Sequence, residues 1–135
     1  MGDGPAAGHR LAYIPTPYRM DPDLVRVEPL LDVVNIYAAD TPTSMVLHSA
    51  IRFDYDPASA APGHPASHLT LNSMQCRIAC AAPMHVGRFM DFIFRHFYAG
   101  LWAAHRSYFT EGATRHIGER TLTDDDRTSP HLMWR

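Results

Sequence analysis

The stretch IRFDYDPASAAPGHPASHLTLNSMQCRIACAAPMHVGRFMDFIFRHFYAGLWAAHRSYF, residues 51–109, decides the fold of this chain. Its hydrophobic period changes partway along. From Ile51 the pattern alternates, so Ile51, Phe53 and Tyr55 share one face of a strand and Arg52, Asp54 and Asp56 the other. Residues 57–65 hold three prolines and a glycine and read as a loop. Two short strands follow, at residues 67–72 and 75–80, with a turn around Ser73 and Met74. Pro83 ends the second. From Met84 the spacing becomes three and four: Val86, Phe89, Met90, Ile93, Phe94, Phe97, Tyr98, Leu101 and Trp102 line one stripe. This predicts one long helix over residues 84–109, with Arg88, Asp91, Arg95 and Arg106 falling mostly on its other side.

Outward from this block the signals weaken. Residues 1–10 read as a loose tail. Residues 13–29 contain Pro15, Pro17, Pro22 and Pro29, which deny ladder donors, so an extended arm with at most an edge strand is expected. Residues 30–38 are β-branched and aromatic and read as a strand, with a short helix from Pro29 as the alternative. A turn at Pro42 leads into a strand over residues 44–56. Beyond Thr110 the chain turns polar, Asp124, Asp125 and Asp126 form an acidic loop, and residues 130–135 read as a last strand. The expected organisation is an extended proline-rich arm, residues 1–28, and a single α+β domain, residues 29–135. Its antiparallel or mixed β-sheet has about four to five strands, with one long C-terminal-half helix packed on one face.

Composition narrows the classes. Of 135 residues 46% are hydrophobic and 19% charged, a globular balance. The net charge of −2 does not by itself announce nucleic acid or an acidic membrane. All 12 basic residues are arginine. A GC-rich genome explains that, as does selection for guanidinium forks. Either way no lysine is available for catalysis. The N-terminal residues lack the apolar core of a secretory signal, and no apolar run reaches the roughly 18 residues of a span. The cytoplasm is the expected compartment, with Cys76 and Cys80 as thiols.

Four constellations can carry chemistry. In HPASHLT, His64 and His68 share a face of an extended chain but sit roughly 13 Å apart, too far for one zinc. His68-Leu69-Thr70 also matches the HxT element of two-histidine phosphoesterases, which need a second such element. The other candidate, His48-Ser49-Ala50, lacks the second hydroxyl. Asp54 and Asp56 lie two residues apart and can hold a divalent metal or divide acid and base roles. A solvated face with Asp56-Pro57 opening a turn is the plainer reading. Cys76 and Cys80 read as small apolar residues. On the helix, Asp91 and Arg95 form an ordinary i, i+4 pair. His85, His96 and His105 fit surface positions as well as functional ones. Phe92 lies off the main stripe, facing a partner chain or a second layer of the same domain.

The order IRFDYDP, HPASHLTL, CRIACAAPM, FMDFIFRHFY resembles a prokaryotic domain of unknown function, the 2290 family, over about residues 51–98. Asp54, Asp56, His64, Pro65, Ser67, His68, Cys76, Arg77, Ile78, Pro83, Phe89, Phe92, Ile93, Arg95, Phe97 and Tyr98 carry the match. The chain departs from the pattern at CRIAC, where proline is expected after Ile78, and at His96, where a small amide is expected. The resemblance implies bacterial or archaeal origin and brings no activity.

His64, Ser67, His68, Arg77 and Arg95 are more specific than a core needs. Arg77 and Arg95 can pair with Asp54 and Asp56 to lock the sheet to the helix. Alternatively, His64, Ser67, Arg77 and Arg95 bind a small anion or nucleotide. The leading expectation is an accessory or interaction domain of a prokaryotic assembly, such as a defence or mobile-element system, paired with another protein chain or with itself. The alternative is a phosphoester-acting or metal-dependent enzyme centred on His68, with Asp54, Asp56 and Arg77. A third is a nucleic-acid-binding module using arginines and aromatics. No cofactor is implied, a divalent metal stays open, and no membrane is expected.

Overall fold

A computed structural model describes residues 7–39, 45–46, 49–114 and 117–134. Five strands form one mixed sheet: β1 (His9–Tyr13), β2 (Ile51–Tyr55), β3 (Ser67–Leu71), β4 (Arg77–Cys80) and β5 (His131–Leu132). Their spatial order follows the chain, β1-β2-β3-β4-β5. The first four are antiparallel, and β5 runs parallel to β4. Five helices complete the architecture: α1 (Pro22–Val27), α2 (Leu30–Ala39), α3 (Val86–Phe97), α4 (Ala99–Ala104) and α5 (Arg106–Ala113). The expected α+β class is what is found.

The described chain divides into two compact units. One is strand β1 with the chain from Ile51 onward, and the other is residues 14–50. In the first, Ile51, Phe53, Leu69, Cys80, Met84, Phe89 and Ile93 are buried together. Each large apolar side chain so buried contributes about 1.5–3 kcal/mol. The sheet therefore presents its Phe53 face to α3. Phe92 packs on the same core rather than standing off it.

Strand β1 corrects the loose tail. Leu11 lies opposite Phe53, Tyr13 opposite Ile51, and both pack on the core. His9 Nε2 bonds the Met84 carbonyl at 3.0 Å. Alternation over HRLAY is weak evidence when the partner strand lies some forty residues away, so only tertiary pairing reveals it.

The single helix over residues 84–109 is also corrected. Tyr98 (φ −135°, ψ 51°) and His105 (φ −123°, ψ 30°) leave helical geometry and divide it into three. The chain then folds back. The Phe94 and Phe109 rings stack at 4.8 Å. Gly87 on α3 meets Gly112 on α5 so closely that a Cβ at Gly87 would lie 2.5 Å from the Gly112 oxygen. Asp91, expected on the polar side, is buried instead and accepts from Trp102 Nε1 at 2.8 Å.

In residues 14–50, α1 begins at Pro22 with the Asp21 side chain capping the Asp23 amide at 2.9 Å. The strand expected over residues 30–38 is helix α2. Pro29 precedes it, and Leu30, Val33 or Val34, and Tyr37 recur at helical spacing, which overrides β-branched composition. Tyr18 and Met45 form an isolated antiparallel bridge. Of the strand expected over residues 44–56, β2 is observed from Ile51. Ser44, Leu47 and His48 lie outside the described residues, as do residues 1–6 of the tail and the turn at residues 41–43.

Candidate functional site: the polar face of the sheet

The face of the sheet opposite Phe53 carries the polar groups, and strand register sets them in two rows. One row reads Arg10, Asp54, His68, Ala79 and His131 across the five strands. The other reads Ala12, Arg52, Thr70 and Arg77. Period-two alternation requires this: once Phe53 and Leu69 face the core, Asp54, His68 and Thr70 must face away.

Asp54 is buried, yet it is a carboxylate. Burial pushes its carboxyl up, but hydrogen bonds from Arg10 and Arg52 outweigh that and hold it below the usual range. Both Nε–H groups donate to it at 2.6 Å, Arg10 to Oδ1 and Arg52 to Oδ2. A lock on Asp54 therefore exists, but it ties β1 to β2. Arg95 and Arg77 do not form it. Arg95 sits on α3, on the other side of the sheet, 3.2 Å from Asp91 and stacked 4.6 Å over the Trp102 ring. Asp56 lies past the end of β2, where its Oδ1 caps the Ser59 amide of a 3-10 turn at 3.3 Å.

His68 is buried beside Asp54, its Nε2 3.7 Å from Oδ2. Its Nδ1 lies 2.8 Å from the Pro65 carbonyl, which fixes Nδ1 as the protonated nitrogen of the neutral ring. Burial pulls its pKa down. The Pro65 carbonyl and Asp54 push it up, while His64 and Arg77 lower it further. The net direction is down, so His68 stays neutral near pH 7. At 3.7 Å the Nε2 makes no hydrogen bond to Asp54.

The roughly 13 Å expected between the imidazoles of His64 and His68 is corrected: their ring centroids are 5.0 Å apart, nearly perpendicular. His64 lies outside β3. The Ala61–His64 bridge and the Asp56 amide on the Ala66 carbonyl curl the loop back. Even so, no three His, Cys, Asp or Glu side chains group as metal ligands among the described residues. Cys76 is exposed outside β4, and Cys80 is buried in the core, its thiol pushed up to about 12 by burial. Ser67 points into the core face, opposite Tyr55, and so leaves the polar set.

Arg77 is the cation left over. It shares the face of Asp54, two strands further along, and no carboxylate pairs with it among the described residues. Its Nε is shut off from water without a hydrogen-bond partner, and so is Oγ1 of its register partner Thr70. Such orphans cost about 1–3 kcal/mol each. Arg77 and Ala79 floor a cavity of about 210 Å³ walled by Gly63, Pro65, Asp125, Asp126 and residues 128–130. Along the two rows three arginines face one aspartate, and Asp125 and Asp126 bring two further carboxylates to the cavity at Arg77. Sequence reasoning placed Arg77 and His68 here. It missed Arg10, which carried no signal in an apparent tail, and it did not rank Thr70, which the HxT spacing had marked.

A family model described as an uncharacterized conserved protein (DUF2290) matches residues 2–134. The likeness thus extends well beyond residues 51–98. No curated protein and no solved structure matches the chain. Among the described residues no helix is long and apolar enough to cross a membrane.

Proposed function

We propose, for a chain that belongs to the uncharacterized conserved family DUF2290, that the polar sheet face binds an oxyanion carried by a small molecule, above all a phosphate monoester. One observation carries this reading. Thr70 and Arg77 are register partners whose donors are buried and unsatisfied, and Arg77 lines an open cavity with no carboxylate in ion-pair contact with it among the described residues. A phosphate monoester carries close to two negative charges at neutral pH and offers three acceptor oxygens. Guanidinium forks match it geometrically. Neither His68 nor Thr70 lines the Arg77 cavity, so Arg77 is the direct contact, Thr70 stands behind it, and His68 tunes the charge of the face rather than attacking a substrate. The cytoplasm is the compartment this reading assumes.

The test is calorimetric titration with inorganic phosphate and pyrophosphate. Wild type should bind, and Arg77→Gln should lose most of the affinity. The reading fails if wild type takes up neither anion at millimolar concentration, or if Arg77→Gln binds as well as wild type.

A second observation favours a partner as well. In residues 14–50, Val25, Val27, Leu30, Leu31 and Ile36 are exposed, and α2 buries only Val33. Five exposed large apolar side chains within one short unit are more than isolated surface residues account for and favour an interaction surface. On this basis the anion-binding chain works beside another protein chain or a second copy in a prokaryotic assembly. Light scattering that gives a strict monomer up to high concentration, with no co-purified chain, counts against that.

A further inference from the structure

A second cavity adjoins the one at Arg77. Its volume is about 410 Å³, and both cavities are lined by Pro65, Asp125 and Asp126. Its walls are chiefly small and apolar, from Ala60, Ala61, Pro62 and Ala66. Into this lining are set His64 and Thr121, whose Nδ1 and Oγ1 are shielded from water and have no hydrogen-bond partner. Two orphans in one wall are unusual, since buried polar groups are normally paired.

The loop that forms the far wall is built rather than loose. The Thr121 amide donates to the Ala81 carbonyl at 3.0 Å, and the Thr123 amide and hydroxyl donate to Asp126 Oδ2 at 3.0 and 2.8 Å. Asp126 is thereby committed. Asp125, common to both cavities, is exposed and has no ion pair among the described residues.

We infer that the two cavities form one bipartite site for a ribonucleoside monophosphate, an assignment that rests on the oxyanion reading of Arg77. The phosphate sits at Arg77. A flat heterocycle lies in the larger slot between alanine and proline walls, its polar edge meeting His64 and Thr121. The ribose hydroxyls bridge them and donate to the Asp125 carboxylate, the contact by which acidic side chains hold a ribose diol. A bare anion would leave the larger slot and its two orphans unused. A cation alone would leave Arg77 unpaired. The negative charges of Asp125 and Asp126 beside Arg77 suit a ligand with hydroxyl donors next to its phosphate better than a naked dianion.

The experiment titrates the full chain with the four ribonucleoside 5′-monophosphates, ribose 5-phosphate and inorganic phosphate. At least one nucleotide should bind about tenfold more tightly than ribose 5-phosphate, equivalent to about 1.4 kcal/mol. Thr121→Val and His64→Phe, checked for unchanged amide spectra, should each cut that advantage several-fold and leave inorganic phosphate binding unaltered. Arg77→Gln should weaken all three ligand types. If no nucleotide exceeds ribose 5-phosphate, or if both Thr121→Val and His64→Phe leave nucleotide affinity unchanged, the bipartite site is wrong while the oxyanion site stands. If inorganic phosphate itself does not bind wild type, both fall together.

Discussion

Replacing Asp54 with asparagine separates the lock from the site. Asp54 receives two charged hydrogen bonds of 2.6 Å. The Arg52 side chain is 28% exposed, so its bond contributes near the 1.5–3 kcal/mol of a charge-assisted interaction. The Arg10 side chain is 65% exposed, and solvent screening reduces its share to about 0.5 kcal/mol. Asparagine keeps one neutral acceptor but turns an amide toward a guanidinium. The expected loss is therefore about 2–3 kcal/mol, a large part of a typical 5–15 kcal/mol total. Urea unfolding at pH 7 should show a lower midpoint with an unchanged slope. The pH dependence has a definite sign. The folded carboxyl lies below its ordinary value of 3.8, so its stabilisation is complete above that pH and disappears as pH falls through the folded value. Wild type and variant should therefore converge in acid. The same change adds one positive unit to the face, so phosphate affinity should rise. A midpoint shift worth less than about 0.5 kcal/mol, or a gap that persists unchanged into acid, would refute the reasoning.

Gly87→Ala should lower stability by about 1–2 kcal/mol, since overpacking against the Gly112 backbone exceeds alanine's helix-propensity gain of about 1 kcal/mol. Thermal melts check it, and phosphate binding should be unaffected. His68 should titrate below the ordinary histidine value when followed by imidazole proton shifts. Because that pKa is depressed on folding, its contribution is present above about 6.5 and is lost as pH drops through the window below. Added phosphate should raise the His68 pKa by linkage, and an unmoved titration curve would argue against an anion near it.

The alternation Ile51, Phe53, Tyr55 and the turn at Ser73 gave the central strands, because burial on one face enforces period two over any competing tendency. The apolar stripe from Val86 gave α3 but not its end. Tyr98 and His105 leave helical geometry because the chain folds back so that Phe109 reaches Phe94, a long-range contact invisible to local spacing. The same limit hid β1 and with it Arg10, one of the two partners of Asp54. His68, Asp54 and Arg77 were found because polar residues alternated with core residues. Ser67 shares the core face with Leu69 by the same alternation that turns His68 and Thr70 away, so it does not belong with them. Arg95 was misgrouped because a helix on the opposite face cannot reach the polar rows. His64 lies closer to His68 than an extended rise implies because the loop before β3 curls back through the Ala61–His64 bridge.

The central claim is that Arg77 is an unsatisfied cation waiting for an oxyanion. Its most direct test is the ¹⁵N–¹H resonance of the Arg77 Nε–H group, assigned by its loss in Arg77→Gln, during a phosphate titration. The account predicts a saturable downfield shift of that proton, with the Arg95 Nε–H on the other side of the sheet unmoved. An Arg77 resonance that stays in place to the end of the titration, or one that moves no more than Arg95, would contradict it.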